Sequence, residues 1–381
     1  MKHDKHLNKV FGMLMSMLTL SAMILTSCSS GTNSNTTGPQ GAGGKGCTKV
    51  GILLPETASS VRWETKDHPL LVQAITAAIP GVHIDYDNAQ GSSVTQLSQA
   101  ETDLANGDCI LLVGAHDSVA AASIVARAHV QNVPVIAYDR LIQSKDLNYY
   151  VSFENTKVGQ LQGQYILDHY QQYQNPQKPG PVNIVLISGS ETDANALLYS
   201  VGMHSVLDPL LANNVLKSVF ENFTPNWDNG TAQTEMEGAL TDQQNNIQVA
   251  YVANDGMAGG VIAALSAARL NGKVLVTGQD ATTAGIHNIL TGDQSMTVYK
   301  PIVKEAQSAG DLVKALYNGT DINVLTHGQE TVTFDGGNIP SILDTPISVD
   351  INNIASTVIA DHFITKSDVC TGIPAGTAGV C

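Results

Sequence analysis

The chain has 381 residues, enough for two or three domains, and its 43% hydrophobic content suits a globular protein. Its 19 Lys and Arg stand against 34 Asp and Glu, a formal net charge of -15, which argues against charge-driven binding to nucleic acid or anionic lipid. Charged residues make up only 14%, and no block of like charge marks a disordered acidic tail.

The first thirty residues read as a targeting segment. Lys2, Lys5 and Lys9 form a basic start, and the apolar run 10–25 is short for a membrane span. Leu25-Thr26-Ser27-Cys28 resembles the lipobox of bacterial lipoproteins, which makes residues 1–27 a signal peptide and Cys28 the lipidated first residue of the mature chain. Residues 28–47, rich in Ser, Gly, Asn and Thr, then form a flexible tether.

From Lys49 onward strand and helix patterns alternate. Strands are predicted at 49–54, 82–86, 109–113 and 134–138, separated by amphipathic segments such as 92–106 and 118–129. A second set follows at 182–187, 216–223, 247–253 and 273–277, with helices near 193–211 and 256–270. Such βαβ repetition gives parallel sheets, so the predicted fold class is α/β, with two doubly wound lobes. An extra strand at 148–153 runs straight into a helix at 156–170, which reads as a first crossover between lobes. A second is expected at 296–301, before a helix at 303–317, and a third between Val332 and Ile347, in a Gly/Pro-rich region. The lobes are therefore expected at 48–154 plus 301–337 and at 155–300 plus 338–366, with 367–381 as a C-terminal tail.

Cys47, Cys109, Cys370 and Cys381 are an even set that fits an oxidising compartment and allows three pairings. In a 2-1-3 strand order the starts of the first and third strands are neighbours, which favours Cys47 with Cys109 and leaves Cys370 and Cys381 to close a small loop. The cysteines show no CxxC or Cys/His spacing, so no metal site is expected. Asp139 and Arg140 end the strand 134–138 at its carboxyl end, where open α/β sheets bind small molecules. On its own such a pair reads first as a surface ion pair ending the strand.

Six stretches in order decide between these readings: Arg62-Trp63, AYDR at 137–140, SFEN followed by KVG and LQ from Ser152, AND at 253–255, GQDA at 278–281, and MTVYKPI at 296–302. Together they resemble the D-xylose-binding proteins of bacterial ABC sugar importers, over residues 49 to about 363. The resemblance implies a type I periplasmic binding fold with a three-segment hinge, no enzymatic activity and no cofactor. It also implies a ligand set of Arg62, Trp63, Asp139, Arg140, Asn195, Trp227, Asn254, Asp280 and Lys300.

The chemistry of that set suits a sugar, whose hydroxyls both donate and accept and whose C–H faces are apolar. Asp139 and Asp280 accept, Arg62, Arg140 and Lys300 donate with charge assistance, and Asn195 and Asn254 do both. Trp63 and Trp227, the two tryptophans of the chain, come from opposite lobes and would sandwich a pyranose ring. Asn254 or Asp255, Asp193 and Asp280 also stand where helix N-caps are expected. The loop 54–61 is shorter than the family's usual spacing, and His116 departs from the pattern, as a ligand contact or a rim residue.

The resemblance thus implies an extracytoplasmic lipoprotein, a monomer anchored to the cell membrane, that captures a monosaccharide by lobe closure. D-xylose is expected ahead of other pentoses or hexoses, with an ABC permease and its ATPase as partners. A sugar-sensing receptor for chemotaxis or for a histidine kinase would use the same fold. A glycosidase built on Asp139 and Asp280 is disfavoured, because both stand among cationic and amide groups suited to static recognition.

Overall fold

The computed structural model describes residues 43–381; the expected signal peptide, Cys28 and most of the expected tether lie outside the described residues. Runs of Val, Ile and Leu form the central strands because helices cover both faces of each sheet, so those at 110–113, 135–138, 182–188 and 249–252 are buried along their whole length, while the edge strands at 83–88 and 216–223 are partly exposed. In the first half the elements are β1 (Lys49–Leu54), α1 (His68–Ala78), β2 (His83–Asn88), α2 (Ser93–Asn106), β3 (Ile110–Val113), α3 (Ala122–Val130), β4 (Val135–Tyr138), β5 (Tyr149–Phe153) and α4 (Asn155–His169). There follow β6 (Val182–Ser188), α5 (Ala194–Ala212), β7 (Leu216–Phe223), α6 (Asn229–Asp242), β8 (Val249–Val252), α7 (Asp255–Ala267), β9 (Leu275–Val276), α8 (Thr283–Thr291) and β10 (Met296–Tyr299). The chain then forms α9 (Ile302–Asn318), β11 (Glu330–Val332), β12 (Asn338–Asp344) and β13 (Ile347–Asp350).

The first sheet has the order β11-β12-β5-β4-β3-β1-β2, parallel except for the edge pair β11–β12. Alternate residues of its strands serve two cores. Leu53, Leu111 and Val135 pack with α2 and α3, while Ile52, Leu112 and Ile136 face α1 and α9. The second sheet, β7-β6-β8-β9, is parallel throughout, and β10 pairs with β13 as a separate antiparallel ribbon. These are the α/β lobes expected from the sequence.

One boundary is corrected. The sequence pattern places residues 338–366 in the second lobe, yet Asn338–Asp344 is a strand of the first sheet, with Ser341 opposite Tyr150 and Asp344 opposite Phe153. The Gly336-Gly337 turn folds this strand back antiparallel onto β11 instead of carrying the chain away, and Gly336 takes φ 82° to do so. The third crossing is therefore made by residues 345–346, between β12 and β13.

The tail is packed. Val369 and Val380 are buried against Ile286, Tyr299 and Ile354 in a core that also takes in Phe153 at the end of β5. Cys47 is bonded to Cys109 and Cys370 to Cys381, each with Cα atoms 5.5 Å apart. Among the described residues, no helix is long and apolar enough to cross a membrane.

Close helix contact aligns the second lobe. A Cβ on Gly159 of α4 would lie 1.8 Å from the Tyr199 carbonyl oxygen, and one on Gly202 of α5 would lie 2.0 Å from that of Thr156. Only hydrogen at these positions lets the two backbones touch, and this fixes the height of the α5 face that carries Asn195 and Tyr199.

Candidate functional site

The loop after β1 turns into a wide helical turn, Trp63–Asp67, that runs directly into α1 and brings Asp67 back beneath Arg62. Arg62 Nε and Nη2 donate to the two Asp67 oxygens at 2.9 and 2.8 Å, and the Tyr138 hydroxyl donates to Asp67 at 2.9 Å. A fork gripped this way has one orientation. From it Arg62 Nη2 donates to Asp139 Oδ2 at 3.0 Å, and Nη1 lies 3.5 Å from Asp280.

Asp139 follows β4 directly with a positive φ of 60°, a backbone state that Asp tolerates better than most residues. Its carbonyl is pinned from β5, by Tyr150 OH at 2.9 Å and Ser152 Oγ at 2.7 Å. Its carboxylate faces the second lobe. Lys300, just after β10, donates to Asp139 Oδ2 at 2.9 Å, and Asn195 at the start of α5 donates to Oδ1 at 3.0 Å. Burial pushes the Asp139 carboxyl up, but Arg62 and Lys300 outweigh it and hold the group well below the usual carboxylate range.

A second ion pair also joins the lobes. Arg140 Nε meets Asp193 Oδ2 at 2.8 Å, while the other Asp193 oxygen caps α5 by accepting from the Asn195 amide at 2.9 Å. Trp227 Nε1 donates to the same Asp193 Oδ2 at 3.2 Å. The Trp227 ring lies against Gly189, where a Cβ would stand 2.2 Å from ring carbon, and Tyr199 meets it edge-on at 6.2 Å between centroids. Across the gap, the guanidinium carbons of Arg62 and Arg140 lie 4.5 and 5.2 Å from the centre of the Trp63 ring. Part of the Trp63 π-surface is thus committed to cations.

All the ligand residues expected from the sequence, Arg62, Trp63, Asp139, Arg140, Asn195, Trp227, Asn254, Asp280 and Lys300, line one narrow cavity between the two sheets. Asn254 is there and is also the N-cap of α7, its Oδ1 accepting from the Met257 amide at 2.9 Å. Asp280 does not cap α8, because Thr282 takes that role by accepting from Gly285 at 3.0 Å. His116 lines an adjoining pocket beside Glu56, Arg140 and Trp227.

Sequence reasoning missed Ser59, Ser60, Tyr199 and Gln279 on the cavity wall and saw Asp193 only as a cap. Tyr199 was findable, standing four residues after Asn195 on one face of α5. Beneath the site Glu305 of α9 is fully buried, 3.6 Å from Arg62, and its oxygens have no hydrogen-bond partner among the described residues. Burial and the nearby Asp139 charge push it well above the usual carboxylate range.

A wall of paired Asp, Arg and Lys, amide groups and indoles can grip a neutral polyhydroxylated molecule. The model of the periplasmic binding protein domain matches residues 51–321. The chain belongs to the periplasmic binding protein family. This binding protein is 37% identical to the D-xylose-binding periplasmic protein of Haemophilus influenzae over 324 residues, 84% of the chain and 92% of that relative. It is 36% identical to the D-xylose-binding periplasmic protein of Escherichia coli, with 84% and 92% covered. Among solved structures, a carbohydrate transporter solute-binding protein from Chloroflexus aurantiacus in complex with D-glucose superposes with a TM-score of 0.72 at 29% identity, covering 84% of this chain and 97% of that one. These relatives are sugar-binding proteins and not enzymes, as the residues led us to expect.

Proposed function

We propose that this protein captures a monosaccharide outside the cytoplasm, D-xylose in preference to others, and delivers it to an ABC permease. The observation that carries the reading is the position of Asp139. One carboxylate on the first lobe accepts from Arg62 of its own lobe and from Lys300 and Asn195 of the other, between two indoles. A sugar hydroxyl entering here accepts from Lys300 or Arg62 and donates to Asp139, so the ligand takes over contacts that join the lobes. Closure then follows from the ligand's greater affinity for the closed arrangement. Asn254, its oxygen spent on the cap, offers its NH2 group, and Asp280 adds an acceptor. An analogue lacking one hydroxyl leaves a buried charge short of a partner, which is the source of selectivity.

The lobes are taken as 48–154 with 301–344 and 155–300 with 345–366. Preference for D-xylose rests on the likeness to the two D-xylose-binding relatives; the D-glucose complex makes glucose the natural competitor. Membrane anchoring through Cys28 rests on the Leu25–Cys28 motif, and a Cys28→Ala variant released from the membrane fraction would support it.

The test is a sugar panel read by tryptophan fluorescence, since Trp63 and Trp227 are the chromophores and both line the cavity. D-xylose should give a saturable change at micromolar concentration, about -8 kcal/mol, that Trp227→Ala largely removes. A flat response to xylose beside a clear response to glucose would overturn the substrate. A flat response to every sugar would overturn the function. Loss of xylose uptake in a deletion strain, restored by the intact gene, would tie binding to import.

A further inference from the structure

Far from the sugar cavity, three aspartates converge under the C-terminal end of α2. Asp85 comes from β2, Asp103 from the last turn of α2, and Asp108 from the loop into β3, and one oxygen of each lies within 4.8 Å of the others. Among the described residues the cationic partners are Lys49 of β1, whose Nζ lies 2.8 Å from Asp85 and 3.1 Å from Asp108 and also donates to the Asn106 carbonyl at 3.2 Å, and, when protonated, His83, whose Nε2 lies 2.9 Å from the other Asp85 oxygen. One ammonium thus faces three carboxyl groups. It does not reach the innermost. Asp103 is 2% exposed, and its Oδ2 is buried without a hydrogen-bond partner among the described residues, as is Oδ2 of Asp108.

Space is kept for those two oxygens by Gly51, directly opposite Asp85 in the β1–β2 register. A Cβ at Gly51 would stand 2.7 Å from Asp103 Oδ2 and 2.9 Å from Asp108 Oδ2. Any side chain there would press on the pair. A buried carboxyl group without a partner is costly, so a structure that collects two of them beside a third is short of positive charge.

We propose that Asp85, Asp103 and Asp108 form a divalent-cation site that takes Ca²⁺. The donors are hard oxygens, with the Asn106 carbonyl at hand as a further one, and this set suits Ca²⁺ or Mg²⁺ and not the metals that favour nitrogen or sulfur. Ca²⁺ is preferred because carboxylates on a strand, a helix and a loop do not make the regular octahedron that Mg²⁺ demands. Lys49 lies at the solvent edge, about a quarter exposed, and its flexible stem can leave as the ion enters. An ion there ties β2, the end of α2 and the start of β3 together beside the Cys47–Cys109 bridge.

The test is calorimetric titration of the metal-stripped protein with CaCl2, with melting measured in CaCl2, MgCl2 and EDTA. One Ca²⁺ should bind per chain and raise the melting temperature by several degrees, with MgCl2 weaker. Asp103→Asn should abolish both effects while leaving the sugar-induced fluorescence change intact. Lys49→Gln, which removes the competing ammonium, should tighten Ca²⁺ binding about tenfold. The proposal fails if wild type and Lys49→Gln show neither heat nor a melting shift up to millimolar CaCl2. In that case Asp103→Asn raising the melting temperature would show that Asp103 and Asp108 simply share a proton.

Discussion

Lys300 Nζ stands 2.9 Å from Asp139 Oδ2, although the two residues are 161 positions apart and follow strands of different sheets. Both are almost fully buried. A pair of this kind is sensitive to losing one member, because the survivor is left charged in a site that excludes water. Asp139→Asn takes the nearest carboxylate from Lys300, whereas Arg62 keeps Asp67. The variant should lose about 3–5 kcal/mol of stability, measured by urea denaturation. Its affinity for sugar should fall by roughly two orders of magnitude, the loss of a charge-assisted hydrogen bond of about 3 kcal/mol. Unchanged affinity would remove Asp139 from the site.

The same carboxylate sets an acid limit. Its pKa in the folded protein lies below the unfolded value of about 3.9, so its contribution is complete at neutral pH and is lost as pH falls through 4 and lower. Wild type should therefore melt at nearly constant temperature between pH 6 and 8 as far as this group is concerned. Below pH 5 it should lose stability more steeply than Asp139→Asn. Parallel melting curves down to pH 3 would contradict this.

Gly189 is predicted to matter for binding more than its size suggests. A methyl group there would overlap the Trp227 ring at 2.2 Å, so Gly189→Ala must displace the indole and break its bond to Asp193. Sugar affinity should drop about tenfold or more, with a stability loss of about 1–3 kcal/mol typical of overpacking. A variant that is less stable but binds normally would show that Trp227 does not touch the ligand.

Closure also has contacts that need no sugar. The Ser118 amide donates to the Thr192 carbonyl at 2.9 Å, and Ser118 Oγ accepts from the Ala194 amide at 3.0 Å, linking the loop after β3 to the start of α5. Ser118→Ala deletes the second of these, a net effect of about 0.5–1.5 kcal/mol on the closed form. Sugar affinity should weaken a few-fold, and small-angle scattering of the ligand-free variant should show a larger radius of gyration. An unchanged radius and affinity would mean that this contact does not favour closure.

Much of this could be read from the chain, and the reasons are local. β3, β4 and β8 are short apolar runs bounded by turns, so their type and direction follow from pattern alone. Asp139 and Arg140 follow β4 directly, which makes their place at a strand's carboxyl end legible. Asn338–Asp344 was harder, since Pro340 and the preceding glycines resemble a connector; only pairing with β5, nearly two hundred residues earlier, makes it a strand. Asp67 and Glu305 were invisible for another reason. Their importance comes from lying under Arg62, and no spacing in the sequence records what a side chain rests on. Tyr199 reaches the cavity wall at a height fixed by the contact of Gly159 and Gly202 across α4 and α5, and that is equally a tertiary fact.

The three passages between the sheets are short: Glu154 alone, Lys300 with Pro301, and Thr345 with Pro346. A link of one or two residues spans no more than about 7 Å fully stretched, so the halves cannot draw apart and can only swing about a common axle. Lys300 sits on that axle and travels little, whereas groups towards the rim sweep through an arc. If the halves part in this way to admit a sugar, the ammonium is expected to be in place before the rim groups arrive, which makes Lys300 the probe position for watching encounter separately from capture.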